Sequence, residues 1–407
     1  MNITIQPTLL KGSIAPPSSK SQGHRLLLAA ALAQGESVIS GLSFSKDIEA
    51  TISCIRALGA EVEQRGETLC VRGRSGGPAN SNELLFDCGE SGSTLRFLIP
   101  VALAAVGGGR FTGRGRLMER PQQPYFNLFE EKGIFYEQTG DVLTVRGELQ
   151  PGVYTLPGDV SSQFITGLLY ALPLLHGDSS IRITTPLESR AYVDMTLCAL
   201  AQFGVTAGWE GEQTLLVPGD QQYCCAPVTV EGDWSQAAFW YAARALGSEV
   251  KIGGLNPASA QGDRVIAAQF EQLSAPGDAE LDVSQCPDLV PALAAMAAVR
   301  EGTTRIINAA RLRIKESDRL AAVTDVLNKL GADVTEQPDG LTITGKEILT
   351  GGVEVDSHND HRIAMMAAVA ATRCEQPVTV LGAECVSKSY PTFWADYETL
   401  GGKIVRS

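Results

Sequence analysis

Six runs of this 407-residue chain are apolar almost all the way round: Leu26 to Ala33, Phe97 to Val106, Phe164 to Leu175, Ala237 to Leu246, Leu289 to Val299 and Ile363 to Ala371. A surface helix keeps a polar face, so these runs predict buried helices. Each is headed by small, polar or turn-forming residues: Ser18-Ser19-Lys20-Ser21, Ser91-Gly92-Ser93-Thr94, Ser161-Ser162-Gln163, Gly232-Asp233-Trp234-Ser235, Gln285-Cys286-Pro287-Asp288 and Asn359-Asp360-His361. Such heads predict N-caps, because a short polar side chain accepts from the free N–H groups of a first helical turn. A second segment follows each run and in five copies closes on Gly, at Leu58-Gly59, Lys132-Gly133, Phe203-Gly204, Leu330-Gly331 and Leu400-Gly401. Gly suits the left-handed residue past a helix end. The fourth copy, near Leu273-Ser274, has no such Gly. Pairs of alternating segments come next, such as Ala60 to Glu63 with Thr68 to Val71, and read as strands. The pattern is β-α-β-α-β-β, repeated six times at roughly 60–70 residues.

Repeats of this size build solenoids as well as closed domains. Six units in a chain of this length fit two domains of three, with buried helices inside and sheets and outer helices around them. Breaks near Ala15-Pro16-Pro17 and Glu231-Gly232 leave the first strand with the C-terminal half. One expected domain is therefore residues 1–14 with 231–407, the other 15–230, joined by crossovers near 15–17 and 229–232 that form a hinge.

The net charge is −13, which argues against general nucleic-acid or membrane-surface binding but not against a local basic pocket. Nine cysteines include no C-x-x-C pair, so zinc and thioredoxin-type readings are weak. Their odd number, and a first segment without the basic and apolar regions of an export signal, predict reduced thiols in a cytoplasm. No apolar run reaches the ~18 residues of a membrane span. The histidines His24, His176, His358 and His361 lack metal spacing, and the chain has no P-loop, dinucleotide or nucleophile-elbow signature. No metal and no cofactor is expected.

Helix N-termini carry unpaired N–H groups and a partial positive charge, so buried helices that share a cleft would draw anions there. Cations stand at equivalent turns: Lys20 and Arg25, Arg96, Arg120, Arg362 and Lys388. The acids near such turns are Asp47, Glu90, Asp288 and Glu316. Asp288 precedes a buried run and reads equally well as a cap or as a proton acceptor. The densest stretch is Arg311-Leu-Arg-Ile-Lys315-Glu316-Ser317-Asp318-Arg319-Leu320. Within one helical turn, Lys315 and Arg319 would share a face and Glu316 would sit three residues before Arg319. Two readings stand here: a solvated face laced with ion pairs, or an anion site with a proton carrier.

These motifs, in order, resemble the 5-enolpyruvylshikimate-3-phosphate synthase family of enolpyruvyl transferases. The carriers are Ser19-Lys-Ser with Arg25, Gly89-Glu-Ser-Gly-Ser-Thr-Leu-Arg96, Glu119-Arg-Pro121, Val160-Ser-Ser-Gln-Phe164, Ser189 with Tyr192, Pro287-Asp288, Ile314-Lys-Glu-Ser-Asp-Arg-Leu320, Asn359-Asp-His-Arg362 and Lys388. The resemblance implies an α/β (α+β) fold, a two-domain inside-out α/β barrel of three repeated units per domain. It implies transfer of the enolpyruvyl group of phosphoenolpyruvate to the 5-hydroxyl of shikimate 3-phosphate, with release of phosphate, in the shikimate pathway to chorismate and the aromatic amino acids. Metals and cofactors take no part, and the expected partners are the two small substrates, with the protein a monomer.

The resemblance places shikimate 3-phosphate contacts on Lys20, Ser21, Arg25, Ser161, Ser162, Gln163, Ser189, Tyr192, Asp288 and Lys315. It places phosphoenolpyruvate contacts on Lys20, Gly92, Arg120, Gln163, Arg319, Arg362 and Lys388. Asp288 would act as base toward the hydroxyl, and Glu316 with Lys20 would protonate the methylene of phosphoenolpyruvate. Both substrates carry a phosphate and a carboxylate, which accounts for so many cations in an acidic protein. The chain departs from the commonest pattern at Glu90 (Asn), Ser93 (Thr), Phe97 (often Pro) and Arg311 (Asn in some members), and Pro16-Pro17-Ser18 replaces Pro-Gly. Gly92 leaves room for glyphosate, the family's inhibitor, so sensitivity is expected. Two readings compete. The sister transferase acting on UDP-N-acetylglucosamine carries a reactive Cys in the loop matching Gly113 to Arg120, which holds none here. A non-catalytic clamp for anionic solutes would account for the cations but not for Asp288 and Glu316 beside them.

Overall fold

The computed structural model describes residues 1–74 and 84–407, which divide into two compact units. One comprises Ser18–Glu231, the other Met1–Pro17 with Gly232–Ser407.

The unit Ser18–Glu231 is built on three inner helices, Lys20–Leu32, Gly92–Val106 and Ser162–Ala171. Ser19, Ser91 and Ser161 cap them as expected, each side chain accepting a first-turn N–H. Their apolar sides form one core with the faces of three four-stranded sheets. In each sheet the first strand runs parallel to the second, and the hairpin that closes the repeat adds antiparallel to it. The first sheet begins on Pro227–Thr229, so the last strand of this unit opens its first repeat.

Two inner helices touch closely at Gly167. A Cβ there would stand 2.4 Å from the carbonyl oxygen of Arg96 and 2.8 Å from Cγ of Pro100. Pro100 lies inside its helix and has no N–H for that carbonyl. The Tyr125 hydroxyl donates to it instead, at 2.7 Å. This contact sets the two helix heads side by side, with Arg96 next to Gln163.

The other unit repeats the plan with inner helices Trp234–Ala245, Val290–Ala297 and His361–Ala371 in a second core. Asp233 and Asp360 cap the first and third. The second differs from expectation. A short 3-10 turn, Pro287–Leu289, precedes it, and neither turn nor helix has a side-chain cap. Asp288 is committed elsewhere. The sixth repeat closes with the N-terminal strand Ile3–Gln6, which pairs antiparallel with Val378–Leu381 and Lys403–Arg406. The fourth repeat is a correction to six equal units. Among the described residues it has no closing hairpin, only Glu249–Ile252 parallel to Lys11–Ile14. The same repeat ends its outer helix, Ile266–Ser274, on Ala275 rather than on Gly. The five Gly residues expected to end outer helices all adopt positive φ, from 67° to 109°.

No helix among the described residues is long and apolar enough to cross a membrane.

Candidate active site

Six of the singled-out residues of the Met1–Pro17 and Gly232–Ser407 unit converge on one buried cluster. Arg319 is its centre and only 1% exposed. Its Nη1 donates to Asp288 Oδ1 at 2.8 Å, its Nη2 to Glu316 Oε2 at 2.8 Å and its Nε to Asp360 Oδ2 at 2.7 Å. Arg362 donates from Nη1 to the Asp288 carbonyl at 3.0 Å and from Nη2 to Asp288 Oδ2 at 3.3 Å. Lys315 Nζ lies 3.5 Å from Asp288 Oδ1. Lys388 Nζ donates to the carbonyl of Asn359 at 2.7 Å, beside Asp360 in sequence.

The expected helical turn through Lys315 and Arg319 is not formed. Residues Ala310–Ile314 make a 3-10 turn, Lys315 is extended, and the helix begins only at Arg319. Asp318 is the cause: its carboxylate accepts from Ala321 N, which makes it the N-cap and keeps the preceding residues outside the helix. Glu316 still meets Arg319, but through this cap turn rather than a helical face. The solvated-face reading also fails, since Arg319 is buried and its partners come from three separate segments.

Asp360 has no assigned role in the sequence reading, yet it organises the cluster. It is fully buried. It caps its own helix through Arg362 N at 2.9 Å, accepts from Ser317 Oγ at 3.0 Å and grips Arg319 with both oxygens, at 2.7 and 3.3 Å. Its place at a helix head announced the cap. The pairing with Arg319, 41 residues away, had no local signal.

Electrostatics follow the geometry. Burial opposes the charge of Arg319, but Asp360, Glu316 and Asp288 outweigh it and hold the guanidinium charged. Lys315 is pushed down to about 8, chiefly by burial. Asp288 and Glu316 favour its charge, and Arg319 and Arg311 oppose it. Arg311 itself is anchored by a bond from Nη2 to Ser284 O at 2.9 Å.

In the unit Ser18–Glu231 the candidates fall into one ion pair and three groups. Lys20 opens the first inner helix and pairs with Asp47 Oδ2 at 2.7 Å. That is the partner a Lys in this turn requires, though Asp47 had been noted only as a nearby acid. Arg25 is 2% exposed. It donates to Ser21 O and Tyr192 O at 2.8 Å each and to Thr196 Oγ1 at 2.9 Å, and its guanidinium lies 5.8 Å from the Tyr192 ring centre. Burial lowers its pKa to about 10. Ser189 adopts the left-handed conformation at the head of helix Arg190–Gln202, and its carbonyl accepts from Tyr192 N. So Ser21, Arg25, Ser189 and Tyr192 form one patch. Gln163 forms the second group, with Ser161 and Ser162 at the same helix head. It donates to Ser93 Oγ at 3.0 Å and accepts from Arg96 Nη1 at 2.8 Å. Arg96 is thus a support for Gln163, a role its position alone did not reveal. Third, Arg120 closes over Gly92: a Cβ on Gly92 would stand 2.9 Å from Arg120 Nη1.

This arrangement offers fixed cations for anionic groups, a carboxylate (Asp288) among three of them and a second carboxylate (Glu316) on the central arginine. Such a set can bind phosphate and carboxylate groups and exchange protons beside them.

Comparison with known proteins agrees. The sequence profile of the EPSP synthase (3-phosphoshikimate 1-carboxyvinyltransferase) family matches residues 5–397. Proteins named 3-phosphoshikimate 1-carboxyvinyltransferase from Clostridium kluyveri and Clostridium acetobutylicum are 46% and 47% identical to this chain, each over 99% of it and 98% of their own length. The solved structure of an EPSP synthase from Acinetobacter baumannii superposes with a TM-score of 0.79 at 26% identity, covering all of both chains. An enolpyruvyl transferase from Streptomyces tendae, at 18% identity and a TM-score of 0.79, shares the fold. With a family profile spanning nearly its whole length and relatives near half identity, the chain belongs to the EPSP synthase family, the 3-phosphoshikimate 1-carboxyvinyltransferases.

Proposed function

We propose that the protein transfers the enolpyruvyl group of phosphoenolpyruvate to the 5-hydroxyl of shikimate 3-phosphate and releases phosphate, a step of aromatic amino-acid biosynthesis. Family membership supports the reaction, and the Asp288–Arg319–Glu316 cluster carries the residue roles. Asp288 takes the proton of the 5-hydroxyl as its oxygen bonds to the central carbon of phosphoenolpyruvate. The methylene carbon takes a proton from Glu316 or Lys20, giving a tetrahedral ketal phosphate. The carbon–oxygen bond to phosphate then breaks, and the methyl group returns its proton. Arg120, Arg319, Arg362 and Lys388 hold the phosphoenolpyruvate anions. Arg25, Lys315, the serines 21, 161, 162 and 189, Gln163 and Tyr192 hold shikimate 3-phosphate. Each charged contact to the departing phosphate contributes on the order of 2–4 kcal/mol in the transition state.

The deciding measurement is phosphate release from phosphoenolpyruvate with two acceptors in parallel. Release with shikimate 3-phosphate and none with UDP-N-acetylglucosamine is expected; the reverse pattern would refute the assignment.

Two further outcomes test the pocket. In Gly92→Ala the new Cβ displaces a flexible side-chain end, so the protein folds normally while the Arg120 guanidinium moves. The KM for phosphoenolpyruvate is expected to rise about tenfold and that for shikimate 3-phosphate to stay within twofold. Equal rises in both would show that Arg120 does not serve phosphoenolpyruvate. The second concerns pH. With Lys315 titrating near 8 in the free enzyme, kcat/KM for shikimate 3-phosphate should fall above pH 8, as the ammonium is lost. The sign for stability is opposite. The folded pKa lies below the usual 10.5, so protonated Lys315 is unfavourable in the fold, and stability from this group rises between pH 8 and 10.5. Titration of Lys315 therefore does not lower activity there by destabilising the fold. Lys315→Arg should remove the alkaline limb.

A further inference from the structure

Arg313 stands two residues before Lys315, on the 3-10 turn, and is not among the residues assigned above to substrate or proton transfer. Its planar fork reaches two pieces of chain, residues 336–338 and Asp318. Nε donates to Pro338 O at 3.0 Å and Nη2 to Gln337 O at 2.7 Å. Nη1 donates to Glu336 Oε1 at 2.7 Å and to the Asp318 carboxylate at 3.0 and 3.3 Å. Gln337 and Pro338 form the tip of the hairpin Asp333–Gln337 with Gly340–Thr344. Asp318 caps the helix that starts at Arg319. Residues 313 and 318 are thereby closed into a short loop and fastened to a sheet edge.

Lys315 and Glu316 hang from that loop, where neither helix nor strand bonds fix the backbone. The other cations of the cluster have their own anchors. Asp360 holds Arg319, the Asp288 carbonyl holds Arg362, and the Asn359 carbonyl holds Lys388. A lysine at 313 would keep the charge but not the fork that satisfies acceptors on two segments at once.

We propose that Arg313 is a positioning residue: by tying Asp318 to the tip of the Asp333–Thr344 hairpin, it fixes the loop that presents Lys315 and Glu316 to Asp288 and Arg319. The inference rests on the proposed reaction for its kinetic arm and on geometry alone for its titration arm. The groups facing Lys315 are Asp288, Arg319, Arg311 and Glu316. A loosened loop withdraws Lys315 from them and returns it to solvent.

In Arg313→Met, kcat is expected to fall at least tenfold and the KM for shikimate 3-phosphate to rise about fivefold, while the KM for phosphoenolpyruvate stays within twofold. The Lys315 ammonium, followed by NMR of reductively methylated protein and assigned with Lys315→Arg, should titrate well above its parent value of about 8. A merely structural Arg313 would lower thermal stability and leave the KM split and the titration where they are in the parent; that result overturns the proposal. If Arg313→Met does not fold, Arg313→Lys is read instead, with the same split expected at about threefold, and unchanged constants and titration there overturn it equally. A parent enzyme that releases no phosphate from the two substrates would sink the proposed function but leave the titration arm decisive for Arg313.

Discussion

Asp288→Asn is expected to reduce kcat about 10³-fold in a protein that still folds. The substitution keeps the shape of the side chain and its position ahead of the helix Val290–Ala297. It removes the proposed anionic proton acceptor and turns an amide toward Arg319, Arg362 and Lys315, which now surround the carboxylate at 2.8, 3.3 and 3.5 Å. The amide cannot take the hydroxyl proton. A second consequence has a definite sign. Asp288 is the neighbour that most favours charge on Lys315, so its loss moves the Lys315 pKa further below 8. The alkaline limb of kcat/KM for shikimate 3-phosphate should therefore shift to lower pH in Asp288→Asn, together with the fall in kcat. Steady-state phosphate release between pH 6 and 9 measures both. A kcat within tenfold of the parent would place the hydroxyl proton on another group.

Arg319→Met is expected to lose both stability and turnover. The guanidinium neutralises Asp360, which is fully buried, and it also holds Glu316 and Asp288. Removing one partner of a buried pair leaves an uncompensated charge, at about 3–5 kcal/mol. For units of this size that corresponds to a fall in Tm of roughly 10 °C. Turnover should fall by at least about 10²-fold, from loss of the proposed contact to the departing phosphate. Differential scanning calorimetry with the phosphate assay at 20 °C separates the two losses. The double variant Arg319→Met with Asp360→Leu removes the stranded carboxylate, so it should unfold at a higher temperature than Arg319→Met alone while remaining equally inactive. A Tm for Arg319→Met within 2 °C of the parent would show that Asp360 finds its compensation elsewhere.

How much of this was legible differs between fold and site. The buried helices declared themselves, because an apolar run without a polar face has only one comfortable place. Their Ser and Asp caps, and the Gly residues ending the outer helices, were also visible, since caps act within three or four residues of themselves. The missing hairpin of the fourth repeat was not expected, since the pattern gave every unit its closing pair of strands. In the site, residue types and motif order named the participants but not their partners. Asp288 read equally well as a cap, and Lys315 with Arg319 read as one helical face. Both were local arguments, and both gave way: Asp318 captured the N-cap, and Asp288 met Arg319 and Arg362 from across the unit.

The chain alone therefore determined its repeats, its inner helices and its family, all properties of short windows or of motif order. Only the tertiary structure decided which charges face one another. Arg319 meets Asp288 and Asp360 at separations of 31 and 41 residues, and Arg362 meets Asp288 at 74. Periodicity cannot report such pairs, because it describes the face a residue shares with its own neighbours. Once the inner helices are buried, their heads bring these segments together. The cost of leaving a charge unpaired in that interior then selects the partners: Asp360 beneath Arg319, and Asp288 among three cations.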